Sequence, residues 1–228
     1  MLSVIIPVYN ESEGISDLLT YLNAELKGTV SEVIVVDGGS VDNTVQLCEK
    51  YEANVFVSDK KGRASQMNYG ALKAKGDVYY FLHADSFPPT QFIRDILDQI
   101  EGEVVAGCYQ LAFSPNHPVL KFYAWFTRLN IDTLRFGDQS LFVTKEAFEK
   151  VGGFDERLIV MEDQKIVRDL KKVGKFTIIN KKVTTSSRKY FQVGLIKLQF
   201  IFTLILCLYY LRVRQSTLIN VYKKLMAS

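Results

Sequence analysis

Cysteine is scarce in this chain: Cys48, Cys108 and Cys207 are scattered, odd in number, and lack C-x-x-C spacing or neighbouring histidines. That pattern excludes a zinc site and a disulfide framework and suits a reducing cytoplasm. No G-x-G-x-x-G follows a strand-like run and no G-x-x-x-x-G-K-[ST] occurs. A dinucleotide-type Rossmann site and a P-loop are thereby set aside. Met1-Leu2-Ser3 runs at once into a β-branched segment, leaving no room for a charged n-region, apolar h-region and cleavage site, so no signal peptide is expected. The apolar run Leu198 to Leu211 is short of the about 20 residues a membrane span needs. Acid is missing altogether from Lys171 to Ser228, where 12 Lys/Arg stand unopposed. The residues before it hold 16 basic against 25 acidic side chains, so the body carries −9 and the tail +12. A cationic tail on an acidic body calls for an anionic partner, membrane headgroups or nucleic acid.

What is present reads as one large α/β domain with an appendage: 228 residues, 48% hydrophobic and 23% charged, enough to bury a sizeable core. The pivotal stretch is Gly76 to Ser86. Val78 to Leu82 is apolar and aromatic, too short for a helix and closed by turn residues, and so predicts a strand buried on both faces. Asp85 follows just past its end, where ligands gather in open α/β sheets because loops and helix N-termini converge there.

Around it, Ser3–Val8, Glu32–Val36 and Val55–Val57 predict further strands. Helices are predicted between them: about four turns through Leu18, Leu19, Leu22 and Leu26, one from Asp42-Asn43-Thr44 burying Val45 and Leu47 or Cys48, and one over Ala64–Lys75. This alternation predicts a parallel sheet covered by helices, with Asp37 and Asp85 on one rim. After a helix over Thr90–Ile100 the alternation breaks down. Strands are predicted over Val104–Phe113, Gly137–Val143 and Phe176–Val183, and helices over Leu120–Leu129, Lys145–Val151 and from Met161-Glu162-Asp163 to Gly174. Paired acids at a helix start also satisfy free N–H groups and the helix dipole, with no further role.

Taken together, Val4-Ile5-Ile6-Pro7-Val8-Tyr9-Asn10-Glu11, Val35-Val36-Asp37-Gly38-Gly39-Ser40, the Arg63–Ala71 helix before Gly76-Asp77, the strand ending in Asp85, Gly152-Gly153-Phe154-Asp155-Glu156 and Glu162-Asp163 resemble the family 2 glycosyltransferases of GT-A fold. His-Ala-Asp-Ser after the central strand resembles the small single-domain bacterial branch associated with arsenosugar biosynthesis and radical-SAM gene neighbourhoods. The resemblance implies a mostly parallel Rossmann-like nucleotide-binding sheet over residues 1–190, a basic, apolar helical extension over 191–228, and an inverting glycosyltransferase.

The resemblance also assigns roles. Pro7, Asn10, Glu11, Asp37 and Gly39 would line the pocket of a UDP- or GDP-linked sugar, and Arg63 would meet the diphosphate. His83, Ala84 and Asp85 would complete the donor site, with Asp85 as ligand to Mn2+ or Mg2+. Asp163 would be the general base that deprotonates a hydroxyl or carboxyl acceptor. The sequence departs from the family at two points. His83 replaces the first acid of D-x-D, which favours manganese because it tolerates imidazole, and Asp37-Gly38-Gly39-Ser40 lacks one carboxylate of Asp-Asp-Gly-Ser.

Two other readings use the same rim. A nucleotidyltransferase would want a basic, glycine-rich loop after the first strand, where Tyr9-Asn10-Glu11 stands. A sugar-nucleotide-binding module without catalysis would not need both Asp85 and Asp163. For the tail, the sequence predicts peripheral contact with the inner face of a membrane, bringing a lipid-like acceptor, and no nucleic acid. A homodimer interface or a core helix is the alternative cover for its apolar run.

Overall fold

The computed structural model describes residues 1–227. Strands β1 (Leu2–Val8), β2 (Ser31–Asp37), β3 (Asn54–Val57) and β4 (Val78–Phe81) alternate with helices α1 (Ile15–Leu26), α2 (Thr44–Glu49) and α3 (Arg63–Lys73). The four strands lie parallel in the order β3-β2-β1-β4. This is the arrangement expected of short right-handed crossovers. There follow β5 (Ser86–Phe87), α4 (Phe92–Glu101), β6 (Val104–Ser114), α5 (Pro118–Trp125), β7 (Leu141–Thr144), α6 (Lys145–Lys150), α7 (Glu162–Val173), β8 (Lys175–Ser186), α8 (Arg188–Val193), α9 (Leu195–Tyr210) and α10 (Gln215–Ala227).

The second half adds its strands to the same sheet, giving β3-β2-β1-β4-β7-β6-β8-β5. Here β7 runs antiparallel to β4 and to β6, and β8 parallel to β6. β5 follows β4 closely in the chain but pairs with β8 at the far end of the order. Four strand spacings amount to roughly 19 Å, too far for a link in which the Ser86 N–H turns back to the His83 carbonyl. The sheet therefore curls, bringing β8 and β5 round to the end of β4.

Alternation along the strands divides the core. Val4, Ile6 and Tyr80 pack with Leu18, Leu22 and Phe92 on the α1–α4 face, while Ile5, Tyr79 and Phe81 pack with Met67, Phe148 and Leu170 on the α3–α7 face. β4 is buried throughout, as its apolar run demands. Gly70 lets α3 lie directly on β1, since a Cβ there would sit 2.4 Å from the Ile5 Cγ2. Pro7 is tolerated in β1 because β4 has already ended opposite Ile5, so no ladder bond is lost on that side.

Several expectations are corrected. Helix α1 has 12 residues, three turns rather than four. Helix α2 buries Thr44 and Cys48, with Val45 and Leu47 half-buried. The strand expected over Gly137–Val143 begins only at Leu141. Gly137–Gln139 is a 3-10 turn closed by Ser140 at φ +58°. Its geometry is set by the buried Gln139 amide, which donates to the Tyr109 carbonyl and accepts from the Phe136 N–H. The helix expected over Leu120–Leu129 ends at Trp125 and tightens into a 3-10 turn. β8 extends past Phe176–Val183 at both ends, with a register shift opposite Tyr109/Gln110.

The boundary expected at residue 190 falls inside α8. Beyond it, α9 and α10 bury Leu198, Ile201, Ile205 and Leu218. Tyr210 Oη donates to Gln164 and the Arg168 guanidinium to Tyr209 Oη, which ties the extension to α7.

Candidate active site

Three loops meet on the rim at the carboxyl ends of β1, β2 and β4. The first two are stitched together. Asp37, 2% exposed, accepts from the N–H groups of Gly39 and Ser40 at 2.8 and 2.9 Å and from the Ser40 hydroxyl. Ser40 Oγ in turn accepts from the Asn10 N–H, and the Asn10 side chain accepts from the Val41 N–H. Asn10 reaches these partners from φ +54°, a left-handed conformation that asparagine adopts more readily than most residues. Beneath them the buried Gln66 amide donates to both the Val8 and Val36 carbonyls.

Asp37 is thus committed to its own turn. Its carboxylate braces the floor of the pocket. The Ala84 side chain is buried in the apolar core, which leaves its backbone to face the rim.

At the end of β4 the third loop carries His83 and Asp85 to face charged groups from four other elements. His83 Nδ1 lies 3.0 Å from Asp138 Oδ1 and Nε2 3.3 Å from Arg63 Nη1. A guanidinium only donates, so Nε2 offers its lone pair and the ring proton sits on Nδ1, toward Asp138. Burial and Arg63 press the imidazole toward neutrality, but Asp138 and Asp163 outweigh them and leave its pKa above the ordinary value. A second proton on Nε2 would point at the guanidinium, so taking it up requires Arg63 to move. Burial works against the Asp138 charge, yet the His83 hydrogen bond holds its carboxyl below the usual range.

Arg63, at the first turn of α3, spans the site. Its Nε donates to Glu162 Oε1 at 2.6 Å and its Nη2 to Asp163 Oδ2 at 3.1 Å. In this structure the guanidinium holds the two acids that open α7. Glu162 is buried, which raises its pKa; Arg63 opposes that rise, and Oε2 has no hydrogen-bond partner among the described residues.

Gly137 wedges against this cluster. A Cβ there would lie 2.6 Å from Asp163 Oδ2 and 2.6 Å from the His83 Nε2. A narrow cavity lined by His83, Phe136, Gly137 and Asp163 opens beside it. The Arg135 guanidinium is buried behind it on the carbonyls of Thr127 and Leu129.

Asp85 and Glu11 add two further carboxyls to the rim. Burial first, and then the charge of Asp138, raises the Asp85 carboxyl; burial first, and then Asp85, raises that of Glu11. Such a concentration of negative charge favours a cation. Among the described residues no group of three His, Cys, Asp or Glu side chains stands ready to hold one alone. A cation carried on a diphosphate needs only one or two carboxylates, its other positions being filled by phosphate oxygens and water. Asp85 fits that demand. His83 does not add to it here, because both ring nitrogens already face partners.

Sequence reasoning placed Asp163, Arg63, His83, Asp85, Glu11, Asn10, Asp37 and Pro7 on or beneath this rim, and the fold gathers them there. It missed the wedge at Gly137, the Asp138 partner of His83 and the Gln66 clasp. It also missed Arg188, whose Nη1 lies 2.5 Å from Glu13 and whose Nη2 lies 3.9 Å from Glu11. Nothing in the spacing of Gly137-Asp138-Gln139 says which side chains it will touch.

Comparison with known proteins identifies the family and the fold. Residues 3–147 match the family described as Glycosyl transferase family 2. A dolichol-phosphate mannosyltransferase of Pyrococcus furiosus is 36% identical over 104 residues, 43% of this chain and 30% of that protein. The glycosyltransferase AglE of Haloferax volcanii is 27% identical over 172 residues, 69% of this chain and 57% of its own. The chain thus spans about a third to just over half the length of these relatives.

Among solved structures, S. aureus TarS 1–349 in complex with UDP superimposes with a TM-score of 0.68 at 19% identity, over 99% of this chain and 70% of that one. The mannosyltransferase PcManGT from Pyrobaculum calidifontis, in complex with GDP-Man and Mn2+, gives 0.67 at 16% identity over 99% and 74%. The family match covers well over half of the residues, and the curled mixed sheet is that of these structures: the chain belongs to glycosyl transferase family 2 and has the GT-A fold.

Proposed function

We propose that this chain is an inverting glycosyltransferase that moves a sugar from a UDP- or GDP-linked donor to a hydroxyl or carboxyl acceptor, with Asp163 as general base. The observation that carries the reading is the Arg63 bridge. It holds Asp163 Oδ2 at 3.1 Å, in the cavity that His83 and Gly137 also line. The acceptor oxygen attacks the anomeric carbon from the face opposite the nucleotide while Asp163 takes its proton. The bond from that carbon to the diphosphate breaks, and its electron pair leaves with the nucleoside diphosphate. A hydroxyl attacking without a base would have to carry its proton into the transition state, which a positioned carboxylate avoids.

Asn10, Glu11 and the Asp37–Ser40 turn form the nucleotide wall, and Asp85 would hold the cation. The bound Mn2+ or Mg2+ would supply charge neutralisation on the departing diphosphate. The neighbours in complex with UDP and with GDP-Man and Mn2+ support a nucleotide-sugar donor and a divalent ion.

One experiment tests both assignments. Calorimetry with UDP, with and without Mn2+, is paired with mass spectrometry of products from a panel of nucleotide sugars. Asp163→Asn keeps metal-assisted UDP binding and loses roughly 10²- to 10⁴-fold in turnover, the range for removal of a general base. Asp85→Ala loses the metal dependence of UDP binding. Wild-type turnover in Asp163→Asn, or UDP affinity indifferent to Mn2+ in the unaltered protein, removes the corresponding role.

A further inference from the structure

Helix α9 carries large apolar side chains on both its inner and its outer side. Leu198, Ile201 and Ile205 are buried against the body, as its sequence demands. The opposite side carries Ile196 (77% exposed), Phe200 (62%) and Leu211 (75%), in line with the exposed Thr203 and Cys207. In water a helix hydrophobic on both sides is ordinarily covered on both. No helix among the described residues is long and apolar enough to cross a membrane. Elsewhere on the surface, Phe191 of α8 meets the His117 ring at 6.2 Å at the start of α5, and Phe122 and Trp125 stand exposed on α5.

Cations frame this apolar surface. Lys197 and Arg212 lie at the two ends of the stripe, Lys121 precedes Phe122, and Arg128 lies over the Trp125 ring at 5.1 Å. The ion pairs of the described residues leave all four of these cations without a carboxylate. We propose that this surface docks on an anionic lipid bilayer, the stripe lying in the headgroup boundary and the cations on the lipid phosphates.

Charge decides the occupant. A second copy would set Lys121, Arg128, Lys197 and Arg212 of one surface against the same four cations of the other across a self-complementary interface, and like charges facing each other there oppose association. A nucleic acid would meet the cations but leave the apolar stripe in water. Docking also orients the proposed cleft. One end of the tail reaches the rim through Arg188 and Glu13, and the other touches Gln164, next to Asp163, through Tyr210. Both contacts set the tail beside the proposed cleft.

The unaltered chain carries its own probe, because Cys207 is exposed on the stripe while Cys48 and Cys108 are buried. Co-sedimentation with phosphatidylcholine vesicles, with and without phosphatidylglycerol, is read alongside the emission of an environment-sensitive dye on Cys207; neither needs turnover. The expected result is salt-sensitive pelleting with the anionic vesicles alone and a blue shift at Cys207, since exposed charges are screened over about 10 Å at 0.1 M salt. Ile196→Ser with Phe200→Ser abolishes the pelleting. Lys197→Ala with Arg212→Ala weakens it about 25-fold, at roughly fivefold per cation. Leu72→Ser, equally exposed on α3 at 77%, leaves it unchanged and serves as the control. Failure to pellet, pelleting indifferent to the stripe variants, or equal loss in Leu72→Ser overturns the proposal. So does a soluble dimer that ignores vesicles and dissociates in Ile196→Ser/Phe200→Ser, which assigns the stripe to a second copy.

Discussion

Replacing Gly137 with alanine separates what the fold tolerates from what the site requires. Gly137 does not have a left-handed backbone, so alanine costs nothing in local conformation. The added Cβ would meet Asp163 Oδ2, His83 Cε1 and His83 Nε2, each at 2.6 Å. Ordinary contact begins at 3.4 Å, so these atoms must retreat by about 0.8 Å. They are the far ends of side chains, which can swing, so stability falls by about 1 kcal/mol, the low end of the range for overpacking. The cost falls on geometry instead. Asp163 leaves its 3.1 Å contact with Arg63, and misplacing a reacting group by about 1 Å costs on the order of 10²-fold in rate. The expected outcome is turnover lowered about 100-fold, with UDP affinity and melting temperature close to wild type. Nucleotide release from the cognate donor, calorimetry and thermal denaturation measure the three. Wild-type turnover would refute the reasoning, because it would mean that neither Asp163 nor His83 stands at the reacting centre. A collapse in melting temperature would show that the wedge is structural.

Glu162→Ala removes one partner from the Arg63 bridge. Breaking a fully buried pair costs about 3–5 kcal/mol. Arg63 is 39% exposed and Glu162 only 1%, so water can reach the freed guanidinium, and a loss of about 2–3 kcal/mol is expected. That lowers the melting temperature by about 5–10 °C in a chain of this size, and an unchanged melting curve would remove the bridge from the stability of the site. Asp42 tests a carboxylate away from the chemistry. Its oxygens accept from the Thr44 hydroxyl and N–H and the Ser12 N–H, and the Thr44 hydroxyl bond is the chief cause that lowers its pKa to about 2 from 3.8. The folded form therefore prefers the charged carboxylate. This contribution is complete above pH 3.8 and is lost as pH falls toward about 2. Asp42→Ala should melt below wild type at pH 5, with the deficit closing as pH approaches 2; a deficit independent of pH would place the effect elsewhere.

Much of this protein is legible in one dimension. The β-branched runs ending in Asn10, Asp37 and Asp85 announce parallel strands whose ends share a rim, because period, length and turn residues are local properties. The Glu162-Asp163 pair at a helix start is visible for the same reason. So is the unopposed charge of the tail, which needs only counting.

The tertiary structure alone decided where these groups point. Asp37 satisfies its own turn, Ala84 turns into the core, and Arg63 reaches about a hundred residues along the chain to Glu162 and Asp163. The 3-10 turn at Gly137 was read as strand because its geometry comes from a buried glutamine amide bonded to a distant carbonyl. Local propensity predicts strands and helices because backbone sterics and apolar spacing act over a few residues. Which charge meets which, and which carboxylate remains free for a ligand, depends on long-range packing: the curl of the sheet brings separate strand ends and helix starts to one rim, where burial strengthens their interactions.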